Sequence, residues 1–170
     1  MKIRPLTPEN HAKASALLRK AFPGSTYEVQ LIENLRANGR TLHEWGCIHT
    51  NRLIAYIAFA AAYNGAAVCG LHLAGLAVTP EFQGQGVESE LLRFALRQEV
   101  IRAESIFVLG DPGFYRHFGF EPCPNPLCAL DKNSAYFLSL RNPPSTPFTV
   151  DYEPEFRLGR KPGSKPRRGF

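Results

Sequence analysis

The chain lacks any apolar run long enough to cross a membrane. Its richest stretch, Leu53 to Ala62, is ten residues long, whereas a transmembrane helix needs about 20 apolar residues. The first residues, Met1 to Pro5, lead directly into polar sequence and lack the apolar middle of a secretory signal. We therefore expect a cytoplasmic protein with no membrane contact.

Cysteine is also scarce. The four cysteines are too few for a disulfide framework in a chain of 170 residues. Cys47 and Cys69 lie in apolar, strand-like runs, which favour buried free thiols. Four residues separate Cys123 from Cys128, but no second Cys or His pair with metal-ligand spacing follows them. No metal site is predicted, and reduced thiols fit the cytoplasm.

The body of the chain has almost no excess of either charge. Residues 157–170 carry six of the 20 basic residues and none of the 15 acidic ones, so residues 1–156 have a net charge of −1. The overall charge of +5 therefore comes from the tail. This distribution does not suggest a uniformly basic surface that binds nucleic acid. We expect only weak, non-specific contact between the tail and nucleic acid.

Changes in apolar periodicity divide the body into helices and strands. Thr7 as N-cap and Pro8 after it indicate a helix start, and Asn38-Gly39 indicates a helix end. Asn51-Arg52 is predicted as a tight hairpin turn. Predicted strands are 3–6, 41–50, 53–63, 68–78, 106–109 and 135–140, and predicted helices are 7–22, 27–36, 87–102 and 114–118.

This order predicts a single α+β (mixed α/β) domain over residues 1–156. A strand–helix–strand unit at 68–109 supplies a parallel pair within a sheet that is otherwise connected by hairpins. Gly70 and Gly75 inside a strand predict a bulge or a close approach of two backbones. Residues 157–170 are rich in Gly, Pro and basic side chains and are predicted as a disordered tail.

The segment from Leu76 to Val87, LAVTPEFQGQGV, carries the most chemical information. A strand ends, a glycine-bearing turn follows, and a helix opens without a strong N-cap side chain. The first N–H groups of a helix lack intrahelical partners, and the helix dipole adds positive potential there. The segment is therefore predicted to bind a phosphate group, as a phosphate cradle. An ordinary tight turn is the alternative that two glycines alone allow.

The wider pattern, Val-x-Pro-x-x-Gln-Gly-x-Gly, resembles the acetyl-CoA signature of the GNAT N-acetyltransferases. A second segment, Leu109 to Pro122, reads LGDPGFYRHFGFEP and resembles the hallmark of the YhbS-like GNAT subgroup. The resemblance covers roughly residues 2–155. It implies a central mixed sheet, mostly antiparallel with a splayed parallel pair and flanked by helices. It also implies acetyl-CoA as co-substrate, a primary amine as acceptor and direct attack in a ternary complex, and it is compatible with a homodimer.

The resemblance assigns roles to particular residues. The residues that would bind acetyl-CoA are Leu76, Ala77, Val78, Gln83, Gly84, Gln85, Gly86, Val87 and Glu88. Tyr115 matches the family's tyrosine acid, and we expect it to donate a hydrogen bond to the leaving thiolate; packing beside Phe114 and Phe118 is the alternative. His72 lies on the strand before the cradle and is the candidate general base, or a histidine packed within the strand.

Three other residues need a decision between a functional and a structural role. Asp111 precedes Pro-Gly, so a turn-forming role is favoured over substrate orientation. Trp45 lies in a strand, and packing is the expected role. Glu88 stands where the family has Gly or Ala, and its carboxylate would lean towards the anion site; a first-turn residue with its head in solvent is the alternative.

These observations support an acetyl-CoA-dependent N-acetyltransferase. The rival is a binding or regulatory module of the same fold that lost cofactor affinity or turnover through Glu88. A third interpretation is an accessory protein that binds RNA or a protein partner through its basic tail. The acceptor amine is not specified by the sequence.

Overall fold

A seven-stranded sheet organises the residues that the computed structural model describes, which are 1–132 and 134–161. The helices in this part are His11–Ala21 (α1), Tyr27–Ala37 (α2), Val87–Leu96 (α3) and Pro112–Tyr115 (α4). The strands are Lys2–Pro5 (β1), Leu42–His49 (β2), Arg52–Asn64 (β3), Ala67–Val78 (β4), Ile106–Leu109 (β5), Glu121–Pro122 (β6), Leu127–Cys128 (β7), Phe137–Leu140 (β8) and Thr149–Val150 (β9).

The strand order in the large sheet is β1-β2-β3-β4-β5-β8-β6. All of its pairs are antiparallel except β4–β5, which is parallel. The mostly antiparallel sheet with one parallel pair confirms the predicted fold class. β7 and β9 form a separate two-stranded parallel sheet.

Helices cover both faces of the large sheet, in which β3 lies between β2 and β4. Tyr56, Ala58 and Ala60 of β3 belong to the core on one face, with residues of α1 and α2. Ile57 and Phe59 belong to the core on the other face, with residues of α3. Because both faces are buried, β3 is a nearly continuous apolar run rather than an alternating one. The alanines let the first helix layer approach the sheet closely.

Residues after β9 close the first helix layer. The Tyr27 hydroxyl donates to the carbonyl of Phe156 at 2.7 Å, and Arg40 pairs with the buried carboxylate of Glu155 at 2.9 Å. A 3-10 turn spans Pro154–Arg157, one residue beyond the domain boundary predicted at 156. Residues 162–170, most of the predicted tail, lie outside the described residues.

Several boundaries differ from the sequence-based expectation. The helix predicted over 87–102 ends at Leu96, where the side-chain amide of Gln98 donates to the carbonyl of Phe94 and satisfies the helix end. The β2–β3 turn is Thr50-Asn51, both with positive φ, so Arg52 already belongs to β3. Thr7 forms no side-chain cap, and a 3-10 turn precedes α1. Strands β6, β7 and β9 were not predicted, since each spans two residues.

Two further expectations concern thiols and membrane contact. All four cysteines are free thiols, with Cys47 and Cys128 buried and the other two half-buried, so the prediction of a buried thiol holds for Cys47 but not for Cys69. Within residues 1–132 and 134–161, no helix combines the length and the apolar character that a membrane crossing requires.

Candidate active site

A fork between β4 and β5 is the most open feature of the sheet. Leu71 pairs with Ile106 and His72 with Phe107, and β4 then continues to Val78 without further pairing to β5. Gly70 stands at the closed end, where a β-carbon would lie 2.4 Å from the carbonyl oxygen of Ser105. Glycine therefore allows the backbones at Gly70 and Ser105 to come close together. Beyond this point the strands pair at two positions and then separate.

A β-bulge lies midway along the open arm of the fork. Gly75 pairs with Ala58 and Leu73 pairs with Phe59, so Ala74 is an extra residue in β4. A bulge leaves one residue out of the ladder and bends the strand. The bulge and the close approach that the two strand glycines predicted are thus both present.

The glycine turn joins the open end of β4 to α3. The side-chain amide of Gln83 donates to the carbonyl of Val78 at 3.0 Å, which ties the turn to the strand. Gly84 and Gly86 have φ of +75° and +81°, and a β-carbon on either would meet no atom within 4 Å. Backbone conformation rather than crowding therefore calls for glycine at both positions.

The start of α3 presents backbone donors to this turn. Gly86 is its N-cap and has no side chain to satisfy them, and the first intrahelical bond recorded there runs from the N–H of Glu90 to the carbonyl of Gly86. The preceding N–H groups have no carbonyl of the same helix within reach. Residues 83–86 of the turn are exposed, so an anionic group fits against the turn and the backbone of the helix start.

A small open cleft, with a cavity volume of about 150 Å³, joins these features. It lies between the end of α1 and the end of β4, and the residues lining it are Ala21, Phe22, Leu76, Ala77, Val78, Gln83 and Glu88. Five of the nine residues predicted to bind the cofactor therefore meet at one cleft. The Val87 side chain is buried in the core, so only its backbone is available to a ligand.

Tyr115 is fully buried in the core that also contains residues of α3. Its ring packs edge-on against Phe114 and Phe120, with centroid distances of 5.0 and 5.3 Å. A β-carbon at Gly110 would lie 2.4 Å from the Tyr115 ring, so the glycine of the LGDP segment makes room for it. The ring therefore has a packing role. The catalytic role of the hydroxyl group stays a prediction, because packing of the ring does not decide it.

His72 is buried at the closed end of the fork. Its Nε2 lies 2.9 Å from the carbonyl oxygen of Asp151, which accepts only, so Nε2 carries the proton and Nδ1 a lone pair. The ring stacks on Tyr152 with a centroid distance of 3.6 Å. Burial lowers the pKa of His72 to about 4. A base so weak would accept a proton from an ordinary amine, of pKa about 10.4, at a cost of about 9 kcal/mol, so the geometry favours the packing alternative.

Asp111 and Trp45 have the structural roles that were favoured. Asp111 accepts a 3.0 Å hydrogen bond from the N–H of Gly113 and caps α4. Trp45 is buried and packs edge-on against Phe59 at 6.2 Å.

Glu28 is a residue that the sequence analysis missed. It is 7% exposed, and its Oε1 is buried without a hydrogen-bond partner in the part of the chain that the structure describes. A buried carboxylate without a partner is costly, although the first turn of α2 offers a favourable dipole. The signal was available, since Glu28, Ile32 and Leu35 follow helical spacing on the buried side of α2.

The chain is similar to known proteins in both sequence and structure. A family model described as an acetyltransferase (GNAT) domain matches residues 40–122. The chain is 44% identical over 52 residues to an uncharacterized N-acetyltransferase of Escherichia coli K12, YjhQ. That match covers 30% of this chain and only 29% of YjhQ.

Two solved structures match over nearly the whole chain. The GNAT family N-acetyltransferase YhbS of Escherichia coli, in complex with CoA, superposes with a TM-score of 0.82 and 26% identity over 93% of each chain. A GNAT family acetyltransferase of Brucella melitensis, in complex with acetyl-CoA, gives 0.76 and 27% identity over 91% of this chain and 97% of that one. The family resemblance seen in the sequence is confirmed by these matches.

Proposed function

We propose that this chain, which matches a GNAT acetyltransferase domain over residues 40–122 and the fold of two GNAT acetyltransferases, transfers an acetyl group from acetyl-CoA to a primary amine by direct attack in a ternary complex. The observation that carries the proposal is the fork between β4 and β5, which opens onto the glycine turn and the start of α3. The exposed N–H groups of this turn suit the pyrophosphate of the cofactor. The backbone of Leu76, Ala77 and Val78 suits its amide-bearing arm.

The reaction needs three things from the protein. The acceptor must be an uncharged amine, the developing oxyanion needs a donor, and the leaving thiolate must be stabilised. The amine nitrogen bonds to the acetyl carbon, the carbon–sulfur bond breaks, and the amine proton leaves to solvent or to the thiolate. Since His72 is a weak base, we propose that the amine is deprotonated before it binds.

Tyr115 is the proposed donor to the thiolate. The ordinary pKa of a tyrosine is about 10 and that of a thiol about 8.5, so complete proton transfer would be uphill by about 2 kcal/mol. A hydrogen bond to the thiolate requires no such transfer. The role is therefore transition-state stabilisation rather than acid catalysis.

Glu88 supports a second candidate, a binding or regulatory module of the same fold. Its side chain lines the cleft beside Gln83 and Val78, where the family has no side chain larger than a methyl group. A like charge at about 4 Å costs about 1 kcal/mol in water and about 4 kcal/mol at an intermediate dielectric constant. The upper value would weaken acetyl-CoA binding by nearly a thousandfold.

Calorimetric titration of the purified protein with acetyl-CoA separates the two candidates. Micromolar binding followed by acetylation of any amine in a substrate panel supports the enzyme. Two results support the module: the wild type binds acetyl-CoA without turnover, or the wild type does not bind it and the Glu88→Ala variant does. Absence of binding by both proteins would refute the cofactor site.

The remaining proposals concern the chain as a whole. We propose that residues 1–156 form one domain and that the basic segment 157–170 makes only weak, non-specific nucleic-acid contacts. Truncation after residue 161 deletes three of the six basic residues of this segment. It should leave acetyl-CoA affinity unchanged and weaken any salt-sensitive binding to nucleic acid. Light scattering of the same protein tests for a homodimer, and cell fractionation tests the cytoplasmic location.

A further inference from the structure

A groove between α1 and α2 is separate from the cleft that Glu88 lines. Its cavity volume is about 430 Å³. Its polar lining consists of His11, Ser15 and Arg19 from α1 and Glu33 and Arg36 from α2. It shares no lining residue with the cleft at Glu88, and the proposed acetyl transfer uses none of these side chains.

Arg36 brings an unsatisfied donor to the α1–α2 groove. Its Nη2 donates to the Glu44 carboxylate at 2.6 Å, and the Tyr56 hydroxyl donates to the same oxygen, so Glu44 holds the guanidinium in place. The Nε of Arg36 is buried and has no hydrogen-bond partner among the described residues. A buried N–H without an acceptor is costly and is rare in folded proteins. A carboxylate oxygen supplied by a ligand would remove this cost.

Glu33 brings an acceptor to the same groove. The buried hydroxyl of Ser15 donates to Glu33 Oε2 at 2.8 Å, and Arg19 Nη2 lies 3.5 Å from that oxygen. Both contacts come from α1, so they hold the carboxylate between the two helices. An ionised carboxylate can accept about four hydrogen bonds, so Glu33 can also accept from an ammonium group. Its side chain is 42% exposed, which leaves it within reach of a ligand.

The donor and the acceptor lie close enough for one small molecule to contact both. Glu33 and Arg36 are three residues apart on α2, a spacing that places them on one helix face with about 5–6 Å between Cβ atoms. The charges also balance, because Arg19 pairs with Glu33 and Arg36 pairs with Glu44. Burial and the charge of Arg36 lower the pKa of His11, so its ring is uncharged at pH 7. A ligand with one positive and one negative group suits a site whose own charges cancel.

We propose that the α1–α2 groove binds an α-amino acid in its zwitterionic form. The carboxylate of the ligand accepts from Arg36 Nε, and its ammonium group donates to Glu33. The volume of the groove leaves room for the side chain of the amino acid. The site goes beyond the proposed function, because acetyl transfer takes place in a different cleft.

The test measures binding of the common L-amino acids, one at a time, to the full chain by thermal unfolding and titration calorimetry. Each amino acid that binds is compared with the amine that lacks its carboxylate and with the acid that lacks its amino group. For L-alanine these two analogues are ethylamine and propionate. The comparison shows whether both charged groups of the ligand are needed.

Two variants and one control locate the binding. Arg36→Lys keeps a cation for Glu44 but removes the Nε–H, and Glu33→Gln keeps an oxygen for Ser15 but removes the negative charge. Glu121→Gln is the matched control, because Glu121 is an exposed carboxylate on the edge strand β6. Circular dichroism checks the folding of each variant. If Arg36→Lys does not fold, Glu33→Gln decides alone.

We expect at least one amino acid to raise the melting temperature by about 5–10 °C at a concentration of about 100 times its Kd. Both analogues should bind about tenfold more weakly or worse, and so should the amino acid to Arg36→Lys and to Glu33→Gln. Glu121→Gln should behave like the wild type.

Two results would overturn the site: no amino acid binds, or an amino acid binds equally well to the wild type and to both groove variants. The second result would locate the amino acid elsewhere, for example as an acceptor in the cleft at Glu88. Neither result affects the proposed function, which the titration with acetyl-CoA tests separately.

Discussion

Acidification should destabilise this protein through His72. The histidine is buried against Tyr152 and donates its Nε2 proton to the carbonyl of Asp151, and burial lowers its pKa to about 4. In the unfolded chain the pKa returns to 6.5. The unfolded state therefore binds the proton first as the pH falls, and the contribution of His72 to stability is complete above pH 6.5 and is lost from there down to pH 4.

The size of the effect follows from the two pKa values. At pH 5 the unfolded state is almost fully protonated at this site and the folded state is not, so the loss is about 2 kcal/mol; at pH 4 it is about 3 kcal/mol. For a chain of this size the loss at pH 5 lowers the melting temperature by about 4–8 °C.

Urea unfolding at pH 7.5, 6.5, 5.5 and 5.0 measures this contribution when the wild type is compared with His72→Phe. The variant keeps a ring against Tyr152 but has no group to titrate, and it loses the bond to Asp151 equally at every pH. The difference in unfolding free energy should shrink by about 2 kcal/mol between pH 7.5 and 5. His117→Gln, a change at an exposed histidine, is the control. Parallel profiles for the wild type and His72→Phe would show that His72 is not held neutral by burial.

Three predictions concern the proposed active site. Glu88→Ala and Glu88→Gly should both tighten acetyl-CoA binding at least fivefold, measured by calorimetry, because the repulsion of about 1 kcal/mol or more is removed; equal or weaker binding in both would mean that the carboxylate points away. Gly86→Asp should weaken binding more than tenfold, since it adds a negative charge at the helix start and a side chain where φ is +81°; unchanged affinity would locate the cradle elsewhere. Tyr115→Phe should lower kcat about tenfold or more with little change in the KM for acetyl-CoA, whereas an unchanged kcat, with folding checked by circular dichroism, would leave the side chain a packing role.

The sequence was informative where one local pattern decides the structure. β5 was predicted with the observed bounds because it is a short apolar run between polar turns. The glycine turn was predicted because its spacing determines both backbone conformation and chemistry. The end of α3 was missed because no glycine or proline marks it. The backbone N–H groups of Arg97 and Gln98 bond to carbonyls three residues back instead of four.

Properties that depend on distant residues could not be read from local patterns. The weak basicity of His72 is caused by burial, which lowers its pKa to about 4. Tyr152, which stacks on the His72 ring, lies about 80 residues further along the chain. A cleft lined by Lys13, Asn51 and Thr79 joins α1, the β2–β3 turn and the residue after β4, and no single segment of the sequence shows that these meet. The burial of Glu28, by contrast, could have been predicted, because helical spacing places this residue on the same side of α2 as apolar residues.

The contacts that close the first helix layer also affect the order of events during synthesis. Tyr27 bonds to Phe156, and Asn38 and Arg40 bond to Glu155, across intervals of 129, 117 and 115 residues. At about 5–20 residues per second, a ribosome needs several seconds or more to bridge such an interval. Until then α2 and the His72 side of the sheet lack their cover, so a nascent chain halted before residue 151 should expose apolar surface and attract chaperones.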